Sequence, residues 1–380
     1  MKDRRLLNRI IKLFNIVLGL GVGAAAGLIS PVMKNIRNLT FGQYLAGLGL
    51  LLIQLYLAFF LQIIIHEGGH LVFGLLTGYG FSSFRILSFM LVRKNGKLTL
   101  RRFGLSGTAG QCLMSPPEMK DGKMPYVLYN LGGVLMNLIA SAVCCIAAVL
   151  TAKAGKEPVF LWIMAMSGVY MALTNGIPFN DTVPNDGHNA LNLGKDPVAL
   201  RSFWVQLAVN AASTQGSRMK DLPGEWFEIP VEADMSNNLI TSWRVLAENR
   251  AMDLHDFPQA RSFLDSLLDG GCELIEMHRA LMLNDRAYLD ILKKGKEADL
   301  SPLGGKTVAV ILKQMRNYPS VLRTQYAEAL IVKEDGQKAD EILGNFEKIS
   351  RTYPSEADIE AERELMDIAR NRPVTAEEEN

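Results

Sequence analysis

Cysteine is scarce: the 380 residues hold four, two of them adjacent (Cys144 and Cys145) in an apolar run. That excludes a disulfide framework and a zinc knuckle built from Cys-x-x-Cys pairs. Histidine is almost as rare, with five. Acidic residues are nearly missing from the first half, where residues 1–190 carry 7 Asp and Glu against 17 Lys and Arg, while residues 191–380 carry 32 against 23. A chain that is 49% hydrophobic is not disordered as a whole. The excess positive charge is scattered around apolar segments and forms no stripe on a soluble face, so nucleic acid is not an expected partner. A charge-poor half followed by a charge-rich half reads as a membrane part followed by a soluble part.

Four segments meet the length of roughly 20 apolar residues that a ~30 Å hydrocarbon core requires. They run from about Leu13 to Val32, Tyr44 to Leu76, Tyr126 to Ala152 and Val159 to Phe179. The first follows a basic stretch (Lys2, Arg4, Arg5, Arg9, Lys12) and continues past Ala24-Ala25-Ala26. It reads as a retained signal anchor in preference to a cleaved signal peptide. Between the second and third segments, two strand-like runs flank Asn95-Gly96, a strong hairpin signal. Arg93, Lys94, Lys97, Arg101 and Arg102 on this hairpin place it, with the N-terminus, on the cytoplasmic side. Four crossings then return the chain to the cytoplasm.

From about Asn189 the pattern is that of soluble helices. Arg244–Leu268 and Leu322–Phe346 each read as a helix, a turn and a second helix, with apolar residues at helical spacing. They resemble tetratricopeptide-type hairpins of irregular period. The tail after Arg370 is polar and is expected to be disordered. The fold class is thus an α-helical polytopic membrane protein with about four transmembrane helices and a β-hairpin, joined to a soluble α-helical domain. The expected division is an anchor at 1–40, a core at 41–193, a linker with an amphipathic helix at 194–235, a helical-hairpin domain at 236–370 and a tail at 371–380.

The charge-free second segment is interrupted once, by His66-Glu67-Gly68-Gly69-His70. A lone acid at mid-bilayer costs about 2.5–3.5 kcal/mol on insertion scales, so such an interruption marks function. His-Glu-x-x-His on a helix sets both imidazoles one turn apart on one face, able to hold a single zinc ion. Glu67 then stands beside them to handle the proton of a water. A catalytic zinc also takes a third protein ligand and keeps a position open. After the fourth segment, Asp181, Asp186 and His188 are candidates, and coordination chemistry alone does not choose among them. Asn137 and Asn175, within or at the end of apolar segments, are suited either to hydrogen-bonding a substrate backbone or to joining helices. The four cysteines form no constellation.

These pieces, in this order, resemble the site-2 protease family of intramembrane zinc metalloproteases. The helix carrying His66-Glu67-Gly68-Gly69-His70 is the first. Leu131-Gly132-Gly133-Val134-Leu135-Met136-Asn137 is similar to the family's Gly-Pro-x-x-Asn element, with Val134 where the family has proline. Asn175-Gly176-Ile177-Pro178 leading to Asp186-Gly187 is similar to its Asn-x-x-Pro motif closing in Asp-Gly, though about three residues longer. The resemblance covers roughly residues 44–193. It implies one catalytic zinc held by His66, His70 and Asp186, Glu67 as general base and proton donor, and Asn137 and Asn175 as substrate-positioning residues. It also implies that the hairpin at 84–105 is a re-entrant element presenting the substrate strand. The expected activity is hydrolysis of peptide bonds in membrane-spanning or signal-peptide-derived segments near the cytoplasmic face. The expected partners are that substrate, the lipid bilayer and a protein bound by the helical domain. A second reading makes the chain a membrane-anchored adaptor that acts through its helical domain.

Overall fold

The computed structural model describes residues 2–94, 96–102, 109–180 and 183–372. The chain is mostly helical, with a small antiparallel sheet. It divides into two units, residues 1–81 with 109–196, and residues 82–108 with 197–380.

The first unit is built on α1 (Lys2–Ile29), a short α2 (Pro31–Lys34) and α3 (Phe41–Leu76). Four stretches are long and apolar enough to cross a membrane: Arg9–Ile29, Phe41–Leu76, Val127–Lys153 and Val159–Gly176. They fall on the four segments expected from sequence. Thr40 starts α3 with a capping box, its hydroxyl accepting from the Gln43 N–H while the Gln43 side chain accepts from the Thr40 N–H. At 36 residues α3 is about 54 Å long, more than a ~30 Å hydrocarbon core needs. Leu52, Ile53, Val143 and Ile146 face outward, while Ala58 and Ile163 are fully buried where the helices meet. This inverts the pattern of a water-soluble bundle and suits an apolar solvent.

The strands are β1 (Gly80–Ile86), β2 (Phe89–Lys94), β3 (Lys97–Arg102) and β4 (Gly110–Ser115), in the order β3-β2-β1-β4. β2 and β3 pair antiparallel with Lys94 opposite Lys97, and Gly96 at the turn takes a φ of 76°. That register is the one a two-residue hairpin gives, although Asn95 itself lies outside the described residues. The grouping differs from the expected boundaries: the hairpin belongs with the C-terminal helices. Ser82 and Thr214 share a hydrogen bond of 2.9 Å, and Arg101 pairs with Glu356 at 2.9 Å. Arg101 on the hairpin thus finds its counter-charge in the acidic half of the chain, which no local pattern shows. The first unit is completed by α4 (Val127–Lys153), α5 (Val159–Gly176) and α6 (Asp186–Asn192).

The second unit continues with α7 (Pro197–Gln215), α8 (Asn238–Asp253), α9 (Phe257–Asp269), α10 (Glu276–Lys294), α11 (Lys306–Gln314), α12 (Pro319–Ala327), α13 (Gly336–Ser350) and α14 (Glu356–Arg370). Asp256, Asp335 and Ser355 cap α9, α13 and α14 by accepting from backbone N–H groups three residues on. Both expected hairpins are present, α8 with α9 and α12 with α13, the second interrupted by a π turn at Glu328–Val332. The stretch expected to hold a linker and an amphipathic helix contains α7, with Trp204, Val205 and Ala208 buried. Leu264, Leu267, Tyr288 and Ile291 lie at the centre of the unit's core. Of the tail, residues 373–380 lie outside the described residues.

His278 on α10 has a buried Nδ1 without a hydrogen-bond partner among the described residues. Burial penalises its charged form and pushes its pKa down to about 4. The unfolded chain binds that proton near pH 6.5, so the contribution of His278 is complete above pH 6.5 and is lost as pH drops toward 4. Buried carboxylates of the same unit act with the opposite sign, so the contribution of His278 is read from a difference. The stability of His278→Phe relative to the native chain, followed by hydrogen exchange between pH 7 and 4, is expected to rise as the pH falls through this window.

Candidate metal centre

α3 brings His66 and His70 onto one face, as the spacing requires, with their rings edge to face and both residues buried. The backbone of α4 comes against this face through glycine. A Cβ on Gly69 would strike the Gly132 backbone, and one on Gly132 would strike Gly69. A Cβ on Gly133 would fall inside the His66 imidazole. Glycine is needed here for space, not for its conformational freedom.

Each imidazole is oriented by its Nδ1. His70 Nδ1 lies 2.8 Å from the Tyr129 carbonyl, which only accepts, so this nitrogen carries the proton. His66 Nδ1 lies 2.7 Å from Asn137 Oδ1. The Asn137 amide cannot be turned round, because its Nδ2 donates to the Gln62 carbonyl at 3.0 Å and to Gln62 Oε1 at 2.8 Å. Gln62 is fixed in turn, its Nε2 donating to the Met164 carbonyl at 2.9 Å. The chain of acceptors starting at Met164 thus makes His66 Nδ1 a donor as well. With both imidazoles neutral, as metal ligation requires, the two Nε2 atoms turn lone pairs toward the same point.

Asp186 supplies the third lone pair. Its Oδ2 lies 3.1 Å from His66 Nε2 and 3.5 Å from His70 Nε2, and the two Nε2 atoms are 3.3 Å apart. That oxygen is buried and has no hydrogen-bond donor among the described residues. Three acceptors so close repel one another unless a cation lies between them. Ligands about 2.0–2.1 Å from a tetrahedral zinc are separated by about 3.3 Å, so the observed edges fit the ion. Among the described residues these three are the only group of metal-ligating side chains that converge in this way.

Asp186 is delivered by its neighbour. Asn185 Oδ1 accepts from the N–H groups of Phe179 (2.9 Å) and His188 (3.0 Å), and its Nδ2 donates to the carbonyls of Thr174 (3.0 Å) and Ile177 (2.7 Å). It caps α6 and ties the loop to the end of α5 with one side chain. Between Asn175 and Asp186, Asn180 bridges to Pro184. Gly187 follows because a Cβ there would strike the Gly176 carbonyl. Of the candidates left open by sequence, the structure describes two and separates them. Asp186 joins the histidines, whereas His188 lies within 3.3 Å of Asn180 Nδ2 and Asn192 Nδ2. Asp181 lies outside the described residues.

Glu67 is next to the cluster, within electrostatic reach of His66, His70 and Asp186. Its carboxylate lies beside β4, where a Cβ on Gly110 would come within 2.7 Å of it. β4 is itself positioned by Tyr129, whose hydroxyl donates to the Cys112 carbonyl at 3.1 Å. The two asparagines have different places. Asn137 is fully buried with its amide committed to His66 and Gln62, so it holds a ligand and is closed to a substrate. Asn175 donates to the Met171 carbonyl at 2.9 Å, one turn back on its own helix, and does not touch the cluster. Sequence reading missed Gln62 and Asn185. Asn185 carried a usable signal, an Asn immediately before a helix; Gln62 carried only its polarity in an apolar run.

Two substitutions test this construction. Asn137→Leu removes the acceptor that holds His66 and is expected to weaken zinc binding roughly 10–100-fold. Gly133→Ala drives a methyl group into the His66 ring and is expected to weaken it at least as much. Competition of the purified proteins with a chromophoric chelator measures both. Comparison of the chain with protein-family models, curated proteins and solved structures finds no match to any of them, so the chemistry of the site rests on its own residues.

Proposed function

We propose that this chain is an intramembrane zinc endopeptidase of the site-2 protease type. It would hydrolyse peptide bonds of membrane-spanning or signal-peptide-derived segments. The observation that carries this reading is the convergence of His66 Nε2, His70 Nε2 and Asp186 Oδ2 with Glu67 beside them, the histidines and Glu67 standing on a helix long enough to cross a membrane. Two imidazoles and a carboxylate are the donor set of a hydrolytic zinc, which supplies a Lewis acid for the scissile carbonyl and lowers the pKa of water toward about 7.

The protein's own residues account for the remaining chemistry. Glu67 takes a proton from the attacking water as the C–O bond forms. It returns that proton to the amide nitrogen as the C–N bond breaks, leaving an amine and a carboxylic acid, whose own proton then passes to the amine or to water. Asn137 and the Tyr129 carbonyl keep the imidazoles aligned throughout. A peptide bond inside an intact helix is hydrogen-bonded and sterically closed, so the substrate unwinds locally. β4 is the edge strand beside Glu67, and an unwound segment arriving there meets an extended backbone and the carboxylate together. In this reading the N-terminus and the helical unit are cytoplasmic, and the helical unit, with its tetratricopeptide-like pairs, is an accessory module that binds a protein partner.

Glu67→Gln is expected to retain zinc and to lose at least 10²–10⁴-fold in cleavage, roughly the contribution of a general base. Quantitative mass spectrometry of membrane fractions reads the outcome: small membrane-retained fragments accumulate with the variant and not with the native chain. Equal fragment profiles under several stresses, with zinc retained, would favour the adaptor reading.

A further inference from the structure

The second unit contains a cavity of about 350 Å³ between α7, α8, α10, α12 and α14, within the size range of small-ligand sites. Part of its wall is apolar and adaptable, formed by Met252, Met277 and Met282. The rest is charged and unbalanced. Asp285 on α10 and Asp358 and Glu362, one turn apart on α14, line it with a single guanidinium, Arg323 on α12. A fourth lining carboxylate, Asp253, is already matched by Arg218 at 3.0 Å.

Arg323 is 1% exposed and bonds Asp285 and Glu362, the latter at 2.9 Å. Its two terminal nitrogens are thereby committed, but its Nε has no acceptor among the described residues. Behind the wall, Glu248 is fully buried and neither of its carboxylate oxygens has a partner among the described residues. Burial, with Asp285 and Glu362 close by, pushes its pKa well above the usual carboxylate range. Burial and this surplus of carboxylates raise the pKa of Asp358 to about 6 and that of Glu362 to about 7. A cavity of this kind lacks a cation and, at Arg323 Nε, a carbonyl.

We propose that this cavity binds a basic side chain, lysine or arginine, presented by an extended polypeptide. The ammonium or guanidinium would meet Asp358 and Glu362, and the aliphatic stem would lie on the methionines. A backbone carbonyl of the same segment would accept from Arg323 Nε. The need for both groups selects a peptide over a free amine. The site is independent of the metal centre.

The test uses the full chain in detergent and two fluorescein-labelled peptides with blocked termini, Ala-Leu-Lys-Leu-Ala and its norleucine counterpart, which keeps the stem and lacks the charge. Fluorescence anisotropy is expected to show the lysine peptide binding at least roughly tenfold more tightly, and Asp358→Asn and Glu362→Gln each removing most of that difference. Hydrogen exchange across α14 identifies a variant that has lost the fold, in which case the other variant decides. Equal binding of the two peptides, binding undiminished in both folded variants, or no binding up to about 1 mM would overturn the proposal. Complete displacement of the peptide by an equal concentration of n-butylammonium would overturn the assignment of a peptide ligand.

Discussion

The approach of α3 to α4 at Gly69 and Gly132 sets everything built around the metal centre. With no side chain on either residue, the two backbones touch, and three polar contacts become reachable at once. His70 reaches the Tyr129 carbonyl, His66 reaches Asn137, and Asn137 reaches the backbone and side chain of Gln62. All three fix the same register between the helices. Sliding α4 by one turn, about 5.4 Å, would break them together and leave several buried polar groups unpaired. The apolar surfaces of the two helices tolerate many registers; the polar contacts select one.

The direction of the hydrogen bonds matters as much as their number. A buried amide can usually be turned to exchange donor and acceptor, and an imidazole can move its proton from one nitrogen to the other. Here neither freedom remains. The sequence of contacts begins at the Met164 carbonyl and passes through Gln62 and Asn137 to His66. A backbone carbonyl cannot donate, so every later group has its role assigned. The outcome, two lone pairs facing a carboxylate, is unfavourable in the protein alone and favourable around a cation. Polar groups inside an apolar bundle are costly unless fully satisfied, and this network is satisfied everywhere except at the point where an ion would lie.

How much of this was legible in the sequence depended on how local each feature is. The His66–His70 pair and the lengths of the apolar helices follow from period and composition, and the structure places both as expected. Asp186 was separable from Asp181 and His188 only by resemblance, because the choice depends on how the Asn175–Asp186 loop folds. That loop is decided by Asn185, whose four hydrogen bonds are to groups six to eleven residues back and three ahead. Gln62 was invisible because its partners lie on two other helices. The pairing of the hairpin was hidden for a similar reason: Arg101 pairs with Glu356, 255 positions later.

The origin of the third ligand has a consequence for access. His66 and His70 stand on a candidate membrane span, ten and six residues before the end of α3, so about 15 and 9 Å along its axis from that end. Asp186 stands on α6, ten residues after α5 has ended, and is not part of any candidate span. The histidine side chains are 8% and 10% exposed and the Asp186 side chain 22%. The cluster is therefore closed on the helix side and less closed where the aspartate enters. A hydrolase acting on apolar segments has two opposed requirements, surroundings apolar enough to receive the substrate and a supply of water for the reaction. Under the proposed function, two ligands from within the bundle and one from its edge would meet both, since Asp186 is the most exposed of the three. Assembly of the centre then depends on the Asn175–Asp186 loop being folded, and the side chain that folds it, Asn185, is as much a part of the site as the ligand it precedes.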